Sequence, residues 1–365
     1  MALLACTTCT STYRTSEPIW RCRCGGLLDI IQTPAFDRTK IDYQAPGLWR
    51  YRHAIPVEND ANIVSLGEGM TPLILQNIGG RPVYFKMDYL QPSGSFKDRG
   101  AAVLMSKVKE LRVQHIIEDS SGNAGAAIAA YGAAAGISCD IYVPAHTSKQ
   151  KLAQIKAAGA ACIEIPGGRE ATAIAALHAA EQTYYASHSW NPFFFQGAKT
   201  IAFELCEQLG WRAPDIFVAP AGNGTLLLGA ALGFSELCKT GVIKNMPKII
   251  AVQAENCAPL ATAFAHGNSD FAAVDTAPTQ AEGIAVAHPI RGAQILRAVR
   301  AGGGEFVTVT EDEISSMLHT LHRRGLYVEP TAAVAAAGVA KQIHNFKTAD
   351  VVASVFTGHG LKSKV

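Results

Sequence analysis

From about Ser65 onward, short apolar runs alternate with longer runs of helical character. Residues 83–88 (VYFKMD) read as a strand and 98–111 as the helix after it. Residues 116–119 lead through a glycine-containing turn into an alanine-rich helix. Residues 139–144 precede a helical 148–159, 161–165 precede 169–182, and 215–220 precede 225–237. Residues 305–309 precede a helix with Ile314, Met317, Leu318 and Leu321 at i, i+3, i+4, i+7 spacing. That helix has its own punctuation: Thr310 with Glu313 three residues on, then Arg323, Arg324 and Gly325 at its end. Strands alternating with helices pair in parallel through crossovers, so the pattern predicts an α/β fold with doubly wound, mostly parallel sheets. In such sheets ligands sit beyond the carboxyl ends of the strands, so the loops after strands are where chemistry belongs.

The 365 residues have room for two domains and a small appendage, at roughly 100–200 residues per domain. Hydrophobic residues make up 48% and charged ones 17%, a balance that packs cores and is the opposite of a disordered chain's. Basic and acidic side chains nearly cancel, 32 against 30, unlike a protein that grips nucleic acid or an anionic membrane. No apolar run approaches the roughly 18 residues needed to span a bilayer. The opening MALLACTTCT has neither a basic region nor a long apolar core, so no secretory signal is expected. A cytoplasmic protein acting on small molecules, without nucleic-acid or membrane partners, is the expectation.

Nine cysteines divide unevenly: Cys6, Cys9, Cys22 and Cys24 cluster near the start, and five are scattered singly. The scatter suits reduced, buried thiols better than a disulfide framework. The cluster reads Cys-x2-Cys, then Cys-x-Cys-Gly-Gly, and paired thiolates on tight turns suit tetrahedral Zn2+. A zinc-ribbon-like cap over residues 1–35, with Cys6, Cys9, Cys22 and Cys24 as ligands to a structural Zn2+, is therefore expected as an accessory to the main body. The second pair is one residue closer than the usual knuckle spacing. Four reduced thiols in a small β-rich cap are the alternative. The histidines carry no spacing that suggests a metal.

Four post-strand loops stand out. Residues 91–100 (QPSGSFKDRG) present Lys97 where a helix begins; the helix macrodipole disfavours a cation there, so the amine is poised to act as a Schiff-base nucleophile. An ordinary surface lysine is the alternative. Residues 120–125 (SSGNAG) offer the hydroxyls of Ser120 and Ser121 and the amides of a helix start, a ready carboxylate site. Asn123 there either caps the helix or reaches a ligand oxygen. Residues 220–229 (PAGNGTLLLG) carry Gly222 and Gly224, which let the backbone approach a phosphate at the start of the next helix. This loop is neither the dinucleotide fingerprint nor a Walker A loop. Residues 357–360 (TGHG) place the neutral hydroxyl of Thr357 at a strand end. Together the loops supply an amine, a phosphate cradle and a carboxylate cradle.

With SFKDRG, SSGN, GNGT and TGHGLK in this order, the chain resembles pyridoxal-phosphate enzymes of the tryptophan synthase β-like fold (fold type II), most closely the threonine synthases. The likeness runs from about Ser65 to Lys364, with LGEGMTPL (66–73) and NPFFFQGAKTIAFEL (191–205) in support. The resemblance implies pyridoxal 5'-phosphate bound through an imine to Lys97, the catalytic residue that also shuttles substrate protons. It implies Phe96 beside the ring, Asn123 on the ring hydroxyl, and Gly222, Asn223, Gly224, Thr225 and Leu226 around the phosphate. It implies Thr357 at the pyridine nitrogen and Ser120, Ser121, Gly122, Asn123 and Ala124 at the substrate carboxylate. A phosphorylated substrate also needs a second anion site, for which Lys151 and Arg169 are candidates, with solvated helix faces the alternative for both. A neutral hydroxyl at the ring nitrogen suits elimination and replacement rather than transamination. The implied reaction turns O-phosphohomoserine and water into threonine and phosphate, in a homodimer.

Departures from the threonine synthase pattern lie in the segments around the substrate: IPGGREAT (165–172), Ala198 in QGAKT, and AEGIAVAHPIRG (281–292), which is closer to threonine and serine dehydratases. A dehydratase, or a β-replacement enzyme resembling cysteate synthase, is the alternative with the same cofactor. A zinc-ribbon nucleic-acid binder with an inactive body is the rival of another class, opposed by the even charge and by Lys97. Glu329 is expected either to line the cofactor pocket or to serve as a helix-start charge, and His359 to be a hydrogen-bonding loop residue. The expected division is the cap, a small mobile substrate domain over 96–187, and a large cofactor domain from 36–95 and 188–365.

Overall fold

The computed structural model describes residues 2–272 and 274–362, and the chain's contacts gather into two units. One comprises Met1–Gly69 and Lys97–Ala198, the other Met70–Phe96 and Lys199–Val365. Met1 and residues 363–365, the outer ends of the expected spans, lie outside the described residues. No helix among the described residues is long and apolar enough to cross a membrane.

The first unit is built on a four-stranded parallel sheet in the order Ala161–Ile165, Ser138–Pro144, His115–Glu118, Tyr184–Tyr185. Helices Asn123–Ala135, Lys149–Ala157 and Arg169–Ala179 make the crossovers. Asn123–Ala135 is small and apolar on nearly every face, which lets Gly132 close directly on the Cys139 side chain. It stops at Gly136, whose φ of +70° is the left-handed cap that glycine adopts without penalty. Helix Lys97–Glu110, buried from Asp98 to Val108, packs on Pro192–Ala198. Its Gly100 receives the ring of Phe194 where any β-carbon would collide.

The N-terminal strands Leu3–Cys6, Thr12–Arg14 and Leu28–Ile31 form an antiparallel three-stranded sheet with Leu3–Cys6 in the middle. Its role is more than the accessory expected. Trp20, between the cysteine pairs, is buried; its Nε1 donates to the Ala180 carbonyl at 3.2 Å, and its ring meets Tyr185 and Trp190 edge-on at 5.0 and 5.5 Å. Residues 36–69 also pack in this unit, where the sequence division gave them to the larger domain. The cause is a buried polar knot: Glu68 accepts from Trp49 Nε1 at 2.8 Å and from the Tyr131 hydroxyl at 2.9 Å, and Val64 N–H donates to Ser106 Oγ at 2.9 Å. Residues 188–198 join it for a similar reason, with Asn191 Nδ2 donating to the Tyr184 hydroxyl at 2.8 Å.

The second unit holds a six-stranded sheet in the order Glu305–Val309, Lys248–Ala254, Ile216–Pro220, Val352–Val355, Arg81–Lys86, Leu73–Ile78. All neighbours are parallel except the last pair. That pair is a hairpin turned by Gly79 and Gly80 at φ +57° and +85°, the two left-handed residues a tight hairpin requires. The central strands are buried on both faces, as the helices of a doubly wound sheet demand. Helix Glu311–Arg323 opens with the expected capping box: Glu313 N–H donates to Thr310 Oγ1 at 3.2 Å, and Thr310 N–H to the Glu313 carboxylate at 2.7 Å. Lys86, fully buried, meets Glu204 at 2.7 Å, the Thr71 carbonyl at 2.6 Å and Gln208 Oε1 at 2.8 Å, so its three donors are all satisfied.

Candidate active site

In the second unit, strand Ile216–Pro220 runs out into the glycine loop, and helix Thr225–Lys239 starts behind it. Gly224 precedes the helix at φ +68°, and no side chain caps the helix. A β-carbon on Gly222 would stand 2.8 Å from Ile284 Cα, and one on Gly224 would overlap the end of Ile295. Only glycine therefore lets the loop lie this close to its supports. Leu226 is buried and Asn223 half-buried. The hydroxyl of Thr225, a residue only 3% exposed, is buried without a hydrogen-bond partner.

Thr357 follows strand Val352–Val355 in the same unit. It is 2% exposed, and its Oγ1 is likewise buried and unpartnered. Its carbonyl accepts from Phe96 N–H at 2.9 Å, and Gly358 bridges to Ser95, whose buried hydroxyl has no partner either. Glu329 precedes helix Pro330–Gln342, donates its N–H to the Gly358 carbonyl at 2.9 Å, and sets its carboxylate where a Gly358 β-carbon would be. It is a helix-start carboxylate, packed beside the residue after Thr357. His359 is a loop-bracing residue, as expected: its N–H donates to the Gly94 carbonyl at 3.0 Å and its Nδ1 accepts from Leu361 N–H at 3.1 Å. Buried hydroxyls are paired almost everywhere in native proteins. Thr225 and Thr357, the two positions the loops single out, are exceptions to that rule.

The first unit carries the amine. Phe96 ends one unit, and Lys97 opens the other as the first residue of helix Lys97–Glu110. Lys97 is half-buried, with its Nζ 5.8 Å from the centre of the Phe194 ring. Strand His115–Glu118 leads to the serine loop, where Ser120 Oγ accepts from Gly122 N–H at 3.3 Å. Asn123 is the first residue of the following helix and does not cap it; Gly122 holds the cap position with no side chain to offer. Gly125 closes on the Ser120 carbonyl. Ser120 and Ser121 are half-buried, Gly122 is exposed and Ala124 is buried. Lys151 stands half-buried in the first turn of helix Lys149–Ala157, which packs on Asn123–Ala135. Arg169 is exposed. Sequence reasoning passed over Glu118 and His188, which meet at 2.6 Å in the same unit.

The cysteine cluster is as compact as a metal site. Cys6 Sγ lies 3.6 Å from Cys24 Sγ, and Cys9 Sγ 3.6 Å from Cys22 Sγ. The four sulfurs all fall within 4.8 Å of one another. Sulfurs about 2.3 Å from a central Zn2+ would stand about 3.8 Å apart in a tetrahedron. Thr8 N–H and Cys9 N–H both point to Cys6 Sγ, at 3.3 and 3.4 Å, and a β-carbon on Gly26 would press on that sulfur at 2.9 Å.

Residues 64–358 match the family described as pyridoxal-phosphate dependent enzyme. The chain belongs to that family. It is 35% identical to a threonine synthase of Methanocaldococcus jannaschii over 99% of this chain and 93% of that protein. It is 34% identical to a threonine synthase of Methanosarcina acetivorans over 98% and 92%. In fold it resembles a fungal L-serine ammonia-lyase from Rhizomucor miehei, with a TM-score of 0.70 and 22% identity over 79% of this chain and 93% of that one. The chain is thus a pyridoxal-phosphate-dependent, threonine synthase-like lyase of the fold type II kind, acting on a small amino-acid substrate. The family's cofactor fits what the second unit presents: an uncapped helix start behind two glycines for a phosphate, and orphaned neutral hydroxyls for its polar atoms.

Proposed function

We propose that the enzyme converts O-phosphohomoserine and water to threonine and phosphate, by γ-elimination and then addition of water at the β-carbon, in the cytoplasm and as a homodimer. The unpartnered hydroxyl of Thr357 carries this reading. Bound pyridoxal phosphate supplies an electron-withdrawing ring to the substrate's α-carbon. Thr357, a neutral hydroxyl rather than a carboxylate, would not keep the ring nitrogen protonated, which would limit that withdrawal to what elimination and replacement need.

The other roles follow the same chemistry. Gly222, Asn223, Gly224, Thr225 and Leu226 hold the cofactor phosphate through backbone N–H groups, the helix dipole and the Thr225 hydroxyl. Lys97 would hold the cofactor aldehyde, and its free Nζ would take the proton from the substrate's α-carbon and return it later. Phe96 lies beside the ring and Asn123 reaches the ring hydroxyl. Ser120, Ser121, Gly122, Asn123 and Ala124 receive the substrate carboxylate, and Lys151 its phosphate. Cys6, Cys9, Cys22 and Cys24 hold a structural Zn2+.

The test is direct. Purified protein should be yellow, and Lys97→Ala should lose both the visible band and turnover. O-phosphohomoserine should yield threonine and phosphate in equal amounts. A 2-oxoacid from threonine or serine would make the enzyme a dehydratase instead, and a colourless protein that refuses pyridoxal phosphate would refute the reading.

A further inference from the structure

Glu118 closes strand His115–Glu118 with none of its surface exposed. Its Oε1 lies 2.6 Å from His188 Nδ1, while its Oε2 is buried without a hydrogen-bond partner. Such a carboxyl is costly to ionise. Burial pushes its pKa up to about 8, opposed by the charge of Lys97. Burial, and then the same lysine, hold the His188 imidazole well below its ordinary range.

The other groups facing the pair come from three elements. Asp119, next along the chain, is itself pushed up by burial and by Glu118. Arg169, opening helix Arg169–Ala179, acts on His188. Tyr185, whose phenol burial raises, feels both Asp119 and Glu118. Phe194 ties the pair to Lys97 in space: Lys97 Nζ stands 5.8 Å from the ring centre, His188 meets the ring edge-on at 6.2 Å, and Gly100 fixes the ring's place.

We propose that the Glu118–His188 pair positions Lys97 and answers its charge. It rests on the role of Lys97 given above and adds a residue pair to which those roles assign nothing. Linkage makes the coupling reciprocal: an ionised Glu118 raises the pH at which the Lys97 nitrogen loses its proton.

The test is a pH titration, from 6 to 10, of the visible absorption of the protein loaded with pyridoxal phosphate. In Glu118→Gln the midpoint should move down by about half a unit or more, with kcat reduced and KM little changed. His188→Asn keeps the carboxylate but removes its partner, and should move the midpoint the same way by less. A Glu118→Gln protein that binds the cofactor and titrates like the wild type overturns the proposal, whatever its melting temperature. If Glu118→Gln does not fold, a wild-type midpoint in His188→Asn overturns it equally. A wild type that takes up no cofactor is a different result, and sinks the role of Lys97 itself.

Discussion

Replacing Gly224 by alanine separates backbone strain from steric overlap in the phosphate loop. Its φ of +68° charges any non-glycine residue about 1–2 kcal/mol. The new β-carbon would also overlap Ile295 Cδ1 and Cγ1, and forcing a packed side chain aside adds about 1–3 kcal/mol. Together these come to about 2–5 kcal/mol. For a unit of roughly 200 residues, at about 2–4 °C per kcal/mol, the melting temperature should fall by roughly 4–20 °C. Gly241 supplies the control: its φ is +73° and open space surrounds it, so Gly241→Ala should incur the backbone cost alone, roughly 2–8 °C. Differential scanning fluorimetry measures both. Titration with pyridoxal phosphate should then show at least about a tenfold weaker affinity in Gly224→Ala, since a charged hydrogen bond is lost or misaligned, and no change in Gly241→Ala. Equal melting shifts with wild-type cofactor affinity in both variants would refute the reasoning, because Ile295 would then yield freely and the loop would not hold the phosphate.

Thr357→Val and Thr225→Val remove hydroxyls that bond nothing in the protein, so cofactor-free melting should stay within about 0.5 kcal/mol of wild type or rise; the extra stability conferred by added pyridoxal phosphate should shrink. A large loss without cofactor would show that both hydroxyls serve the fold. Metal analysis should find one zinc per chain, and Cys22→Ser should lower both the zinc content and the melting temperature; a metal-free wild type of unchanged stability would dismiss the site. Glu118, with its folded pKa raised to about 8 from 4.5, contributes stability that is complete below the unfolded value and lost as pH rises. His188, depressed, loses its contribution as pH falls below 6.5. Between pH 6.5 and 8 the Glu118 effect takes at most about 1.4 kcal/mol of stability per pH unit. Denaturant titrations of Glu118→Gln should flatten that slope, and an unchanged slope would assign it to another group.

How far the sequence could be read varied with how local each signal is. The strands Ala161–Ile165 and Glu305–Val309 fall where the sequence placed them, and Thr310 and Glu313 cap as their spacing required. Those signals are complete within a few residues. Helix Pro330–Gln342 offered only its start, at Glu329, since it is alanine-rich and buried on all sides and has no apolar stripe to betray its period. The hairpin partner Leu73–Ile78 also escaped, being an antiparallel edge on an otherwise parallel sheet. Lys97 and the glycine loops were legible because an amine or glycines at a helix start have chemical meaning by themselves. Glu118 and His188 were not: they sit 70 residues apart, and only the folded sheet brings them together. The separation of the units failed at residues 36–69 for the same reason, because the bonds made by Glu68 and Val64 reach across the chain.

Trp20 sets a limit on how this enzyme can be trimmed. A version beginning at residue 36 would leave the faces of Tyr185 and Trp190 and the Ala180 carbonyl open to water, a loss on the scale of a buried tryptophan, about 3–5 kcal/mol. Tyr185 is three residues before His188, so the damage would begin within one short segment of the group that faces the lysine. The cysteine-bearing segment is thus a wall of the first unit, and anyone shortening the gene for expression should expect to lose core packing with it.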